Sequence, residues 1–395
     1  MYMFLPLGDH PPANAFLRPD QADQPEAKFA LDTHVCLACG LIQVPNVIPP
    51  DFFRTYVYVP SASDTMHGHF AGLARLVRER LLTAGDGLVV DISCNDGLFL
   101  SSLNRLGGRT LGIEPARNLT EVARAQGVEV INEYFVPEIA REAAGRYGRA
   151  QVIVTTNTFN HIDDLHHFMA GVVELLDEAG TFVIEVPHSG DLVEKNEFDT
   201  VYHEHVSEFS VKSLVDLVAF FDMEAVDLER LPIHGGSMRV FGRRKGQGGP
   251  APVVGEWLQA EASAGLLEEK TYTAFTARVE RIRAELLAML RSLKAQGSRL
   301  AGYGAPAKGN TLLNYYGIGP ETLMYLADRN PLKHGLLSPG MHIPVVPAER
   351  VMEDRPDYLL ILAWNFADEI VQQQEEFRRQ GGRFIVPIPT PRILS

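Results

Sequence analysis

A chain of 395 residues, at about 150 per domain, has room for two to three domains, each able to bury a core of its own. Its 36 basic and 50 acidic residues leave a net charge of −14, spread along the sequence, so the average surface repels a phosphate backbone and argues against a nucleic-acid partner. Three cysteines make no extracellular disulfide framework, no apolar stretch reaches the ~20 residues of a membrane span, and Met1 to Leu7 lacks the basic start of a signal peptide, which together predict a cytoplasmic chain with no membrane partner.

Residues 1–60 place Pro11-Pro12, Pro49-Pro50 and other turn formers around short apolar stretches, with Cys36-Leu37-Ala38-Cys39-Gly40 between two strand-like runs. This predicts a small loop-rich module, in which Cys36 and Cys39 have the spacing of half a four-ligand zinc site and His10 or His34 are the nearest further candidates. From residue 87 onward, short apolar runs alternate with helix-like stretches, at 88–91, 110–114, 152–155 and 181–185. Such alternation predicts a parallel sheet with helices on its faces. Runs near 224–227 and 237–242, joined by Gly235-Gly236, predict an antiparallel pair at the sheet edge. Between 255 and 296 apolar residues recur three or four apart, as in Val279, Ile282, Leu286, Leu290 and Leu293, which predicts one or two linking helices. A second alternating series follows at 299–302, 324–328, 358–362 and 383–386.

The first α/β unit opens with Val89-Val90-Asp91-Ile92-Ser93-Cys94-Asn95-Asp96-Gly97, a strand running into a glycine loop, and Glu114 stands at the end of the next predicted strand. In folds of this kind the loop lets the backbone approach a ligand, while the acid accepts hydrogen bonds from ribose hydroxyls. One glycine where a dinucleotide fingerprint has three favours S-adenosylmethionine over NAD. Asn157 ends the 152–155 run at the same edge, and His161 follows it. The second unit opens with Gly302-Tyr303-Gly304-Ala305-Pro306-Ala307-Lys308-Gly309-Asn310, where backbone amides and Lys308 suit an anion such as a pyrophosphate and Asp328 is placed to hold a ribose. The densest polar cluster is Phe198 to Ser207. Tyr202 and His205 lie three apart and share a face on a helical turn, while Glu204 points elsewhere. His203 and His205 lie two apart, which is not the four-residue helical spacing of metalloproteases.

Taken together, these motifs resemble the sugar C-methyltransferases that act on dTDP-linked keto-deoxysugars in antibiotic pathways. The resemblance runs through Gly8, Pro12 to Phe16, Cys36 to Gln43, Asn95-Asp96-Gly97, Glu185 to His188, Phe198 to Ser207, His234 to Arg239, Gly302 to Asn314 and Asp328 to Pro331. It implies an α/β chain with a zinc-type module over 1–60, a class I methyltransferase Rossmann-like domain over 61–250, linking helices over 251–298 and a second, C-terminal Rossmann-like domain for a nucleotide sugar over 299–395. It also implies that His205 is the base or proton carrier, with Tyr202 and Glu204 in its relay and His161 and Tyr58 against the keto-sugar. Asp91, Asn95, Asp96, Gly97, Glu114 and Asn157 would hold S-adenosylmethionine. His234, Ser237, Arg239, Tyr303, Lys308, Asn310 and Asp328 would hold the substrate nucleotide, and Cys36 and Cys39 a structural zinc.

The chain departs from the family pattern at several places. A first cysteine pair is expected about ten residues before Phe4, ahead of Met1. Glu208 stands where an aromatic residue is usual, Val59-Pro60 replaces an aromatic-serine pair, and Phe159-Asn160 replaces a small apolar pair. These changes leave open a methyltransferase for another keto-acidic metabolite, or a nucleotide-sugar binding protein without activity. An oxidoreductase using NAD in the second unit would need a third glycine in register.

Overall fold

The computed structural model describes residues 1–82 and 87–394. Its first strands are short, because turn formers interrupt each apolar run: β1 (Tyr2–Leu5), β2 (Asp9–His10), β3 (Phe29–Ala30), β4 (Thr33–Val35) and β5 (Ile42–Gln43). β4 lies antiparallel between β1 and β5, while β2 and β3 form a separate pair.

The central sheet begins with β6 (Leu88–Ile92), β7 (Arg109–Ile113), β8 (Val130–Ile131), β9 (Ala150–Thr156) and β10 (Leu176–Pro187), all parallel. Every residue of β6 is buried, which explains its unbroken apolar run: helices cover both faces of the sheet. After β11 (Ser207–Glu208) come β12 (Met223–Leu231) and β13 (Ser237–Arg244). These two form the predicted antiparallel hairpin, with β13 inserted beside β10, so that the order is β12-β13-β10-β9-β6-β7-β8. The order reverses between β6 and β9. A crevice opens at the carboxyl ends of strands on either side of such a reversal.

Two helices follow, Pro252–Ser263 and Glu269–Ala295. The second buries Tyr272, Phe275, Val279, Ile282, Leu286, Leu290 and Leu293 along one stripe, at roughly 1.5–3 kcal/mol for each large apolar side chain removed from water. Its charged opposite face keeps it from being a membrane span; no helix of the described residues is long and apolar enough to cross one. The last sheet holds β14 (Leu300–Tyr303), β15 (Leu326–Asp328), β16 (Val345–Pro347), β17 (Tyr358–Ile361), β18 (Arg383–Val386) and β19 (Arg392–Leu394) in the order β16-β15-β14-β17-β18-β19. It is parallel except for β19.

Far-apart segments share one core. Phe4 of β1 packs its ring 4.9 Å from Tyr272 and 5.9 Å from Phe275 of the long helix, and that helix in turn joins the core beneath the last sheet. The register Ser207↔Gln43 and Glu208↔Ile42 pairs β11 with β5. The polar segment 202–208 is therefore held in place by the amino-terminal strands.

Candidate active site

The carboxyl ends of β6, β9 and β14 face one cavity of about 700 Å³. Just after β6 and β9 the chain bends sharply: Ser93 and Asn95 after β6 and Asn157 after β9 take positive φ, a conformation that asparagine tolerates better than most residues. Asp91 is buried, and its Oδ1 has no hydrogen-bond partner. Burial, with Glu114 and Glu185 nearby, pushes its carboxyl well above the usual range. Glu114 accepts the backbone N–H of Asn95 on Oε2 and that of Ala116 on Oε1, both at 2.8 Å. Burial still raises it to about 7 against those two bonds. A carboxylate has about four acceptor sites, so roughly half of them stay open to a ligand. Asp96 and Asn95 line the same edge, and the Oδ1 of Asn157 is buried without a partner. Gly97 does not reach the cavity. It sits at φ 80° before the helix Leu98–Arg105, where a Cβ would lie 3.0 Å from that of Ala123.

Across the cavity, residues 202–205 form a turn closed by the His205 N–H on the Tyr202 carbonyl at 2.8 Å. This is a tight turn, not the helical turn expected from the spacing, yet it brings the two rings together at 3.9 Å between centroids. The Tyr202 hydroxyl lies 2.5 Å from His205 Nε2. His161 comes within 5.0 Å, ring to ring. Burial, reinforced by Lys308, lowers His205 to about 3, and burial lowers His161 well below the ordinary histidine value. Both imidazoles are neutral at pH 7.

The expected relay needs a correction at Glu204. Its carboxylate turns away from the cavity to accept the Asn14 amide at 2.8 and 2.9 Å and the Tyr56 hydroxyl at 2.5 Å. The residue that meets His205 is Glu208, whose Oε1 is 2.9 Å from Nδ1. Their spacing of three residues was visible in the sequence; the strand pairing that aims Glu208 at the ring was not. Tyr58 lines the cavity, and its carbonyl accepts the Asn95 side-chain amide at 3.2 Å.

The third wall comes from the last sheet and the β12–β13 turn. Lys308 places its ammonium 4.7 Å above the Trp364 ring, and Tyr303, Asp328, His234, Arg329 and Lys333 also line the cavity. Asp328 accepts the N–H groups of Ala305 at 2.6 Å and Asn330 at 2.8 Å. His234 Nε2 is buried without a partner, and burial lowers the ring to about 3. Three residues expected on this wall are elsewhere. Arg239 points into the sheet, donating to Glu185 at 2.8 and 3.0 Å and to Glu229 at 2.9 Å. Ser237 donates to the Ile233 carbonyl at 3.1 Å, and Asn310 donates to the Ala13 carbonyl at 2.8 Å. Each satisfies a buried partner inside the protein and contributes nothing to the cavity lining.

Comparison with known proteins shows the family of the chain. Residues 66–228 match the model of a methyltransferase domain, residues 232–389 that of a C-methyltransferase C-terminal domain, and residues 1–53 that of a zinc binding domain. C-methyltransferase NovU of Streptomyces niveus is 41% identical over 392 residues, covering 98% of this chain and 93% of that protein. The chain belongs to the C-methyltransferase family. A ubiquinone biosynthesis O-methyltransferase of Xanthomonas oryzae pv. oryzae is 31% identical over 106 residues, 26% of this chain and 44% of that one. Among solved structures, the CcbJ methyltransferase of Streptomyces caelestis aligns over 45% of this chain and 89% of that one, at 14% identity and a TM-score of 0.36.

This C-methyltransferase depends on S-adenosylmethionine, and the β6 edge suits that molecule. Unpartnered acceptors on Asp91 and Asn157 and open acceptor sites on Glu114 match a ligand that presents an amino group and ribose hydroxyls as donors. Glu114→Ala is accordingly expected to weaken S-adenosylmethionine binding about 10- to 100-fold in titration calorimetry, the value of hydrogen bonds to a charged group; unchanged affinity would remove Glu114 from the site. Zinc fits less well. Cys36 and Cys39 are both free, half-buried thiols, but His10 is bound to the Leu7 carbonyl and His34 to the Asp32 carbonyl. Among the described residues no group of three such ligands forms. Two thiolates fall short of the four ligands of a structural zinc.

Proposed function

We propose that this C-methyltransferase methylates the carbon beside a ketone of a dTDP-linked deoxysugar through an enolate. Carbon becomes a nucleophile here only when a base removes its proton while a donor holds the ketone oxygen. S-adenosylmethionine, when bound, supplies an electrophilic methyl. The neutral His205, opposite the β6 edge on the same cavity, is the observation that carries the reading.

His205 Nε2 takes the proton from the sugar carbon, and the C–H electron pair moves into the enolate. The Tyr202 hydroxyl, 2.5 Å from Nε2, donates to the ketone oxygen. His161, also neutral, and Tyr58 line the sugar's position. Lys308, Arg329 and Lys333 gather three cations on one wall of a chain whose net charge is −14, which suits a nucleoside diphosphate. Asp328 keeps acceptor capacity for its ribose, with Tyr303 and His234 alongside. No step passes through zinc.

Mass spectrometry of reactions with S-adenosylmethionine and a panel of dTDP-4-keto-deoxysugars tests the proposal. The expected product is heavier by one methylene. Binding of both dTDP and S-adenosylmethionine with no product from any ketosugar would overturn it.

A further inference from the structure

Lys308 stands in the first turn of the helix Ala307–Tyr316 and lines the cavity, and its ammonium lies 4.7 Å from the centroid of the Trp364 ring. Trp364 opens the turn Trp364–Phe366 just after β17 and is only 8% exposed, so the indole stands behind the cation. Its ring N–H, which can only donate, reaches Asp199 Oδ2 at 2.8 Å. Asp199 is fully buried in the turn Phe198–Thr200, on the same polar segment as His205. Carboxyl group, indole and ammonium thus form a single file that ends at the cavity wall.

We propose that Trp364 is a positioning residue: Asp199 fixes its indole, and the ring face seats the Lys308 ammonium at the wall where the substrate's diphosphate lies. This rests on the reading of Lys308 as a diphosphate ligand. A lysine loose in the cavity gives up its rotamer freedom when an anion binds, whereas one already seated on a ring has little left to lose. The attraction of the ring face also uses none of the ammonium's three N–H donors. Among the described residues, the one hydrogen bond of the ammonium goes to the His234 carbonyl at 3.4 Å, so donors remain for phosphate oxygens. An acceptor on the indole N–H adds electron density to the ring and strengthens its hold on the cation. The buried carboxyl groups that feel this cation do not cancel its charge: burial raises Glu197 to about 8, Asp199 to about 7 and Glu208 well above the carboxylate range, so at pH 7 none is fully ionised. Asp199 accepts the indole N–H in either state.

The test is a double-mutant cycle on the full-length protein, read as dTDP affinity by titration calorimetry. Lys308→Met is expected to weaken dTDP about 10- to 100-fold, and Trp364→Leu about 5- to 10-fold. Once Lys308 is methionine, Trp364→Leu should cost less than about twofold more, because the ring then has no cation to seat. Trp364→Phe keeps an aromatic face but has no N–H for Asp199; it should lose about threefold, again only with Lys308 present, and it serves if the leucine protein fails to fold. In both Trp364 variants KM for the ketosugar should rise while kcat and S-adenosylmethionine affinity stay within about twofold. The same loss with and without Lys308 would make Trp364 a structural residue and overturn the proposal. So would unchanged dTDP affinity in the Trp364 variants beside a weakened Lys308→Met. Unchanged affinity in Lys308→Met would instead overturn the reading of Lys308 itself, and the seat with it.

Discussion

His205→Ala is expected to reduce turnover on the order of 10³-fold, within the range that a positioned base contributes, and to leave S-adenosylmethionine affinity within about threefold. The split follows from the layout of the cavity. Asp91, Glu114 and Asn157 stand at the carboxyl ends of the central strands, while His205 stands on the opposite wall in a turn held by β5. The variant also relieves the protein of a buried imidazole whose charged form is disfavoured. Because that imidazole's folded pKa lies below its unfolded value, its burial contributes stability above the unfolded pKa of about 6.5 that is lost as pH falls toward about 3. His205→Ala should therefore lose less stability than wild type on acidification in this window. Urea unfolding at two pH values would measure the difference. Joint loss of turnover and cofactor binding would make His205 a structural residue.

Arg239→Ala is expected to give the largest loss of stability, about 3–5 kcal/mol, as does removal of one partner from a buried ion pair. Glu185 and Arg239 lie directly opposite each other on β10 and β13, and Glu229 faces Arg239 from β12. The Glu185 side chain has no exposure to water and Arg239 only 6%. Burial would raise the Glu185 carboxyl, but the His69 hydrogen bond and the Arg239 guanidinium hold it below the ordinary carboxylate value. Such a depressed group contributes stability above its unfolded pKa, lost as pH falls through the folded one. Without Arg239 the carboxylate keeps only His69, at 2.6 Å. Urea unfolding is the measurement. A loss below about 1 kcal/mol, the scale of an exposed pair, joined to weakened dTDP binding would return Arg239 to the substrate.

The fold was legible where burial on both faces writes continuous apolar runs, as in Val89-Val90 and Val152 to Val154, and where Gly235-Gly236 marks a hairpin. Strands of two residues, such as Val130–Ile131 and Ser207–Glu208, are too short to carry a period, and β11 exists only because β5 offers it an edge. The site divides in the same way. Asp91, Asn95, Glu114 and Asn157 reach one crevice because the parallel-sheet pattern fixes where strand ends lie. Arg239, Ser237 and Asn310 drew a ligand reading because they sit in polar strings, yet their partners are inside the protein, and Ala13 is 297 positions away from Asn310. Glu204 has its partners in Asn14 and Tyr56, 190 and 148 positions away. No local pattern encodes such contacts.

Exchange of the substrate's α-hydrogen with solvent tests the enolate most directly. The ketosugar that is methylated would be incubated in deuterium oxide with S-adenosylhomocysteine in place of the methyl donor and followed by proton NMR. The expected result is loss of the α-proton signal with wild-type protein and its persistence with His205→Ala. A wild-type reaction that methylates the sugar yet leaves that hydrogen in place, or puts the methyl on oxygen, would contradict the enolate and the base together.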